Sequence, residues 1–199
     1  MKKWILPIVV IILLVLWGVN VKNTSVDLNE DVNEAWGNVQ TSYQRRNDLI
    51  GNLVNTVKGA ADFEKSTLEA VVKARAQATK PEININNADD LSPESLEKFN
   101  QAQSGLSSAL SRLLLVVEKY PDLKANQNFL KLQDELTSTE NTIQTARTRY
   151  NEAIKPYNQY VQKAPQSLMT GILGYDEKPY YDADAGAEKP VDVEFDFGK

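Results

Sequence analysis

Three charged residues stand where apolar ones belong. Arg46 fills a beat in the series Val32, Trp36, Val39, Tyr43, Ile50, Leu53 and Val57. Glu140 and Arg147 do the same in the series Phe129, Leu132, Leu136, Ile143, Tyr150, Ile154, Tyr157 and Val161. Recurrence at three- and four-residue steps marks a helix face that packs against other helices. A charge on such a face is at least partly dry, and leaving it unpaired is costly. The spacing therefore predicts pairing across helices, with Glu140 bridging Arg46 or Arg147, and Glu118 as a further candidate member. Such a cluster could hold an ion or handle a proton, or it could set the register of the helices it joins. The register role is the expectation, because buried polar layers are best attested in that use.

The remaining inventory narrows the chemistry. The chain has no histidine and no cysteine. That removes the commonest general base, metal ligand and pH switch, and with them any thiol nucleophile or disulfide framework. Glu64, Glu69, Glu94, Glu97, Glu118, Glu135 and Glu140 are ordinary helix residues, without the histidines three residues on that a di-metal bundle uses. There is no glycine-rich phosphate loop and no nucleophile elbow. No catalytic residue, metal ligand or cofactor is therefore assigned, and an enzyme is not expected. A carboxylate-based hydrolase or ligand sensor with a pocket in the bundle is the alternative.

Two other motifs have plain readings. Arg45-Arg46-Asn47-Asp48 mixes charges as a solvated helix face does, and in a continuous helix Arg45 would lie roughly 35 Å from the membrane surface, too far for lipid headgroups. Asp182, Asp184, Gly186 and Glu188 alternate like a calcium loop but lack the EF-hand spacing, so an acidic linker is the better reading. Tyr175, Tyr180 and Tyr181 are read as a clasp folding the C-terminal region back onto the bundle, in preference to a partner-contact surface.

The elements that must position these residues begin with a membrane address. Lys2 and Lys3 precede an apolar run, Trp4 to Val21, that ends at Lys22. Roughly 18–20 helical residues cross most of a ~30 Å hydrocarbon core. Trp4 and Trp17 stand near its two ends, where indoles favour the interface. The exit lacks the small-residue pattern of a cleaved signal, so residues 1–22 are expected to be an uncleaved transmembrane anchor. Flanking charge keeps the N-terminus cytoplasmic and puts the rest outside the cell membrane. The net charge of −5 resides in residues 176–199, where eight acidic side chains face three lysines; residues 1–175 balance at 19 of each sign. No basic face points to nucleic acid.

From Asp27 to Thr79 the rhythm is helical and shifts near Lys58-Gly59-Ala60-Ala61, which leaves one kinked helix or two helices open. Residues 80–93 form a polar loop, Ser92 and Pro93 open a helix that lasts to about Lys119, and Tyr120-Pro121-Asp122 stops it. A last helix restarts near Asn126 and runs to about Lys163, with a kink or break expected at Pro156. The fold class is all-α: the anchor, then an up-and-down antiparallel bundle of three to four long helices over residues 23–175. An acidic tail covers residues 176–199. In it Val191, Val193, Phe195 and Phe197 alternate with acidic residues at a strand period, so the tail is either disordered or an edge strand for a partner.

A fixed order of short motifs carries a resemblance. Asn33-Glu34-Ala35-Trp36 is followed by Tyr43-Gln44-Arg45-Arg46-Asn47-Asp48-Leu49-Ile50 and by Asn52-Leu53-Val54-x-Thr56-Val57-Lys58-Gly59. Phe63-Glu64, Ala74-Arg75 and Glu118-Lys119-Tyr120-Pro121-Asp122-Leu123-Lys124-Ala125-Asn126 come next. Phe129, Leu132, Thr139-Glu140-Asn141-x-Ile143, Ala146-Arg147-x-x-Tyr150-Asn151, Tyr157-Asn158 and Gly174-Tyr175 complete it. Over roughly residues 1–181 the chain resembles the bacterial LemA family, departing at Gly51, where that family usually has proline. The resemblance implies a single N-terminal membrane helix and a helical-bundle domain, and it brings no established reaction. Relatives include a magnetosome-membrane protein linked to vesicle formation, and genes of the family often neighbour envelope stress proteins. The expected role is a membrane-tethered scaffold or adaptor for unknown partners in the cell envelope; lateral assembly and membrane remodelling are a further alternative.

Overall fold

The computed structural model describes residues 2–59, 63–80, 85 and 87–181. One unbroken helix, α1 (Lys2–Lys58), carries both the apolar run and the first wall of the bundle. Its N-terminal end is long and apolar enough to cross a membrane. Side chains there, such as Leu13 and Leu16, are exposed on all sides, whereas from Val21 onward one face is buried at Val32, Trp36 and Val39. The helix thus changes from uniformly apolar and exposed to one-sided, with the bundle packed against one face from Val21 onward.

The other elements are α2 (Lys65–Ala78), a 3-10 turn η1 (Ala88–Asp90), α3 (Pro93–Val117), the single turn α4 (Pro121–Lys124), α5 (Gln127–Gln162) and α6 (Gln166–Leu173). Trp36 meets Tyr150 and Arg46 meets Glu140, so residue numbers fall along α5 as they rise along α1 and the two helices are antiparallel. Tyr43 meets Phe99 and Arg46 meets Ser107, so α3 runs the same way as α1. With α2 packed on α3, the long helices alternate direction, as the all-α bundle reading requires.

Local chemistry explains the boundaries. Ser92 accepts from the Ser95 amide at 3.1 Å and its own amide donates to Ser95 Oγ at 2.8 Å, a reciprocal cap with Pro93 in the first turn. Asn126 Oδ1 caps α5 by accepting from the amides of Asn128 and Phe129. The stretch from Asp27 to Thr79 resolves into two helices, α1 and α2.

Of the kink or break expected at Pro156, the break does not occur: the helix continues to Gln162. Only the Glu152 carbonyl loses its helical donor, and Glu152 and Pro156 both face solvent, where water can serve that oxygen. Ile154 and Tyr157, both fully buried, clamp the helix on either side. Gly51 likewise lies inside α1. The Arg75 Nε–H of α2 donates to the Asn47 carbonyl at 2.9 Å, the acceptor that the residue-51 amide serves in an α-helix. A proline at 51 would leave that carbonyl to Arg75, which reconciles the family's usual residue with an unbroken helix.

The buried apolar residues fall into two clusters along the bundle. One gathers Val32, Trp36, Val39, Tyr43, Phe99, Tyr150 and Tyr157 nearer the anchor; the other gathers Leu49, Ile50, Leu53, Leu106, Leu113, Phe129 and Leu136. Of the charged seam residues, Arg46 and Glu140 lie at the border between them, and Arg147 lies beside the first.

Candidate functional site

Arg46 is the centre of that border. Its side chain is only 3% exposed, against 44% for its partner Glu140, and Nη1 lies 3.1 Å from Glu140 Oε1. Nη1 also donates to Ser107 Oγ at 3.2 Å, and Nη2 donates to the Gln103 side-chain and main-chain oxygens. The guanidinium carbon stands 4.9 Å from the Tyr43 ring centroid. Helices α1, α3 and α5 are thus tied by one cation, at a level where all three seams turn polar: Arg46, Gln103 and Glu140. A one-step slip of any of these helices would strand a buried charge, the geometry that a register-setting layer requires.

The hollow beside this layer measures about 150 Å³ and is lined in part by Arg46, Gln103, Ser107, Glu140 and Arg147. Ligand pockets commonly run to roughly 300–1,000 Å³, so it has room for a few waters rather than an organic substrate. Of the other anticipated members, Arg147 lines the same hollow and lays its guanidinium over Tyr181, 4.5 Å from the ring centroid. Glu118 does not join. It stands at the exposed end of α3, one residue past the buried Val117, and pairs with Lys124. Val191, Val193, Phe195 and Phe197 lie outside the described residues, as do Asp182, Asp184, Gly186 and Glu188.

The second arrangement is a strap. Gly174, at φ 78, ends α6 in the left-handed conformation that glycine adopts without strain, and the chain turns back along α5. Asn158 then pairs with both main-chain groups of Lys178, donating to its carbonyl at 2.8 Å and accepting from its amide at 3.0 Å. Asn151 does the same for Tyr181, at 2.8 Å in each direction. Tyr157 and Tyr150 add bonds to the carbonyls of Asp176 and Pro179. The seven residues from Asn151 to Asn158 rise ~10.5 Å along a helix, and three residues of extended chain cover ~10 Å. A Tyr-Asn pair repeated every seven residues on α5 therefore reads an extended backbone in steps of three.

Side chains lock the strap. Tyr181, 5% exposed, packs its ring against Trp36 and Tyr150, and burial pushes its phenol well above the ordinary range. Burial likewise raises Tyr157 to about 12, with the charges of Asp89 and Asp176 adding to it. Lys178 crosses to η1, where Nζ donates to Asp89 Oδ1 at 2.6 Å. Burial works to raise the Asp89 carboxyl, but the hydrogen bond and charge of Lys178, with Asn29 and Asn33, outweigh it and hold the carboxyl below its usual value. The clasp expected of the tyrosines is present at Tyr181, while Tyr180 is 40% exposed.

Two tests follow from this geometry. Asn158→Ala and Asn151→Ala should each cost about 1–3 kcal/mol, because each leaves main-chain groups in a largely dry seat without partners. Hydrogen exchange should then rise at the Lys178 and Tyr181 amides ahead of the α5 core. The Asp89 latch is pH-dependent. Its depressed folded-state pKa contributes stability that is full above the unfolded aspartate value near ~3.9 and is lost as pH falls through the folded value. Exchange at Lys178, corrected for its intrinsic pH dependence, should accelerate between about pH 5 and about pH 2, and Asp89→Asn should remove part of that change.

Sequence reasoning missed Gln103, Asn151, Asn158 and the Lys178–Asp89 pair. Gln103 breaks the apolar seam between Phe99 and Leu106 as Arg46 breaks its own, so the same rule identifies it. The Tyr150-Asn151 and Tyr157-Asn158 repeat was visible, but its reading needs the returning chain. Nothing in the spacing joins Asp89 to Lys178.

The chain is 26% identical over 185 residues to magnetosome protein MamQ 2 of Paramagnetospirillum magneticum, covering 85% of this chain and 67% of that protein. It is 24% identical over 137 residues to protein LemA of Metamycoplasma hominis, covering 69% of this chain and 58% of that one. The LemA family model matches residues 35–195, reaching past the strap into the acidic tail. The chain belongs to the LemA family.

Proposed function

We propose that this protein is a single-pass, membrane-tethered scaffold that holds a helical bundle and its acidic tail outside the cytoplasmic membrane for partner proteins. The observation that carries this reading is the strap: two asparagines and a buried tyrosine spend their side chains on fixing the chain's path just before the tail. Trp36, which packs on Tyr181, stands 14 residues beyond Lys22 in the same helix, or ~21 Å along its axis. The tail thus departs from a defined height and face of the bundle, a useful property for recruitment. Residues 1–22 serve as anchor, 23–175 as bundle and 176–199 as the C-terminal appendage, whose strap portion belongs to the bundle surface. The carboxylate-hydrolase alternative gains nothing from Glu140, which is engaged by Arg46 beside a hollow of about 150 Å³.

The test is in-cell crosslinking of the full chain against a variant lacking residues 188–199. The truncation is expected to lose crosslinked envelope partners while keeping the helical circular-dichroism signal of the intact chain. An unchanged set of partners would remove the tail, with Val191, Val193, Phe195 and Phe197, from the recognition surface.

A further inference from the structure

Helix α6 is built for a partner other than the bundle. It carries no charged residue, and it packs on α1 and α5 through one side. Thr170 is buried there and bonds back to the Val161 carbonyl at 3.2 Å. Its other side is apolar and open: Leu168 is 72% exposed and Ile172 81%, with Leu173 at 38%. Helical spacing puts Leu168 and Ile172 on one stripe, one turn apart.

The place of that stripe decides what covers it. The Met169 side chain comes against Gly18, with Cε 3.1 Å from where a Cβ on that glycine would lie. Gly18 is inside the apolar run, four residues before Lys22, or ~6 Å short of its polar end. The open stripe of α6 therefore continues the exposed apolar surface of α1 at Val15, Leu16 and Val19.

From this continuity we infer that α6 is an interfacial helix, seated in the outer boundary of the bilayer with Leu168 and Ile172 among lipid chains. A short uncharged amphipathic helix at that level suits the headgroup–acyl boundary. Gly18 lets Met169 close against the membrane helix, and the bundle thereby meets the bilayer at two points.

This inference rests on α1 spanning the membrane, and the experiment separates the two. The chain has no cysteine, so single cysteines can be introduced and spin-labelled in the full-length protein. The variants are Leu13→Cys in the span, Ile172→Cys on α6 and Leu115→Cys on the exposed bundle surface, in phosphatidylcholine–phosphatidylglycerol nanodiscs. Relaxation by oxygen, which concentrates in lipid, is compared with relaxation by a water-soluble nickel chelate. The label at position 13 is expected to favour oxygen strongly, that at 172 to favour it at a shallow depth, and that at 115 to favour the chelate. A label at 172 that matches 115 while 13 still favours oxygen overturns the inference and leaves the anchor standing. Spin–spin broadening at 172 with low access to both reagents also overturns it, assigning the stripe to a second copy. A chelate-accessible label at 13 overturns the anchor and the inference together.

Discussion

Trp36→Ala is expected to cost about 3–5 kcal/mol, in the range of large-to-small changes at fully buried aromatics. The indole is 1% exposed and contacts three other rings: Phe99 at 5.7 Å, Tyr150 at 5.4 Å and Tyr181 at 6.3 Å between centroids. Its Nε1–H donates to the Ile85 carbonyl at 2.7 Å. Truncation thus removes packing from α3, α5 and the strap at once and leaves the Ile85 carbonyl, in the connection after α2, with Gln40 Nε2 as its remaining side-chain donor. Against a domain stability of roughly 5–15 kcal/mol, such a loss is a large fraction of the total. Chemical denaturation of the full chain in detergent micelles should show the drop in midpoint. Trp36→Phe separates the contributions, since it fills most of the volume without donating to Ile85; it should cost distinctly less. Strap amides should lose protection first, because Tyr181 rests directly on the indole.

The second large effect is at Arg46. Arg46→Ala should destabilise the bundle by about 2–4 kcal/mol, because it leaves Gln103 buried without its donor and opens space among three helices. Glu140→Ala should cost less, about 1–2 kcal/mol, because the carboxylate is partly solvated and Gln103 and Ser107 still accept from the guanidinium. The double variant should fall well short of the sum, since the two residues share one interaction. Arg46→Met is the informative control. A flexible apolar side chain of similar length restores packing, so stability should recover much of the loss. If the layer sets register, the recovered protein should be less uniquely packed, with weaker near-ultraviolet circular dichroism and less dispersed amide resonances. A sharply packed Arg46→Met protein at wild-type stability would assign the layer no such role.

How far the sequence led depends on the range of the interaction. Helix faces, caps and stops follow from local steps, and Val32 to Val57, Ser92-Pro93 and Asn126 were all legible at that range. Arg46 and Glu140 were legible because a charge in an apolar seam demands a partner, and the antiparallel pairing of α1 with α5 supplied it. Glu118 was misplaced because periodicity does not say at which level of a bundle two charges meet. A break at Pro156 does not occur because the local cost of a missing N–H is offset by tertiary clamping on both sides, which no local pattern reveals. The strap needed the longest-range information of all, the return of residues 176–181 along α5, although the Tyr-Asn repeat that receives it was in plain view.

The unbroken α1 has a mechanical consequence. No glycine pair, proline or loop separates the apolar part of the helix from the part in the bundle, so a helix anchored as proposed is a lever whose fulcrum is the membrane surface. About 36 residues extend beyond Lys22, an arm of ~54 Å, and a ~10° change in tilt would swing its far end by ~9 Å. Bilayer thickness or a neighbour pressing on the span would thus be reported, amplified, at the distal tip near Lys58, and a load applied to that tip would be felt as torque within the membrane.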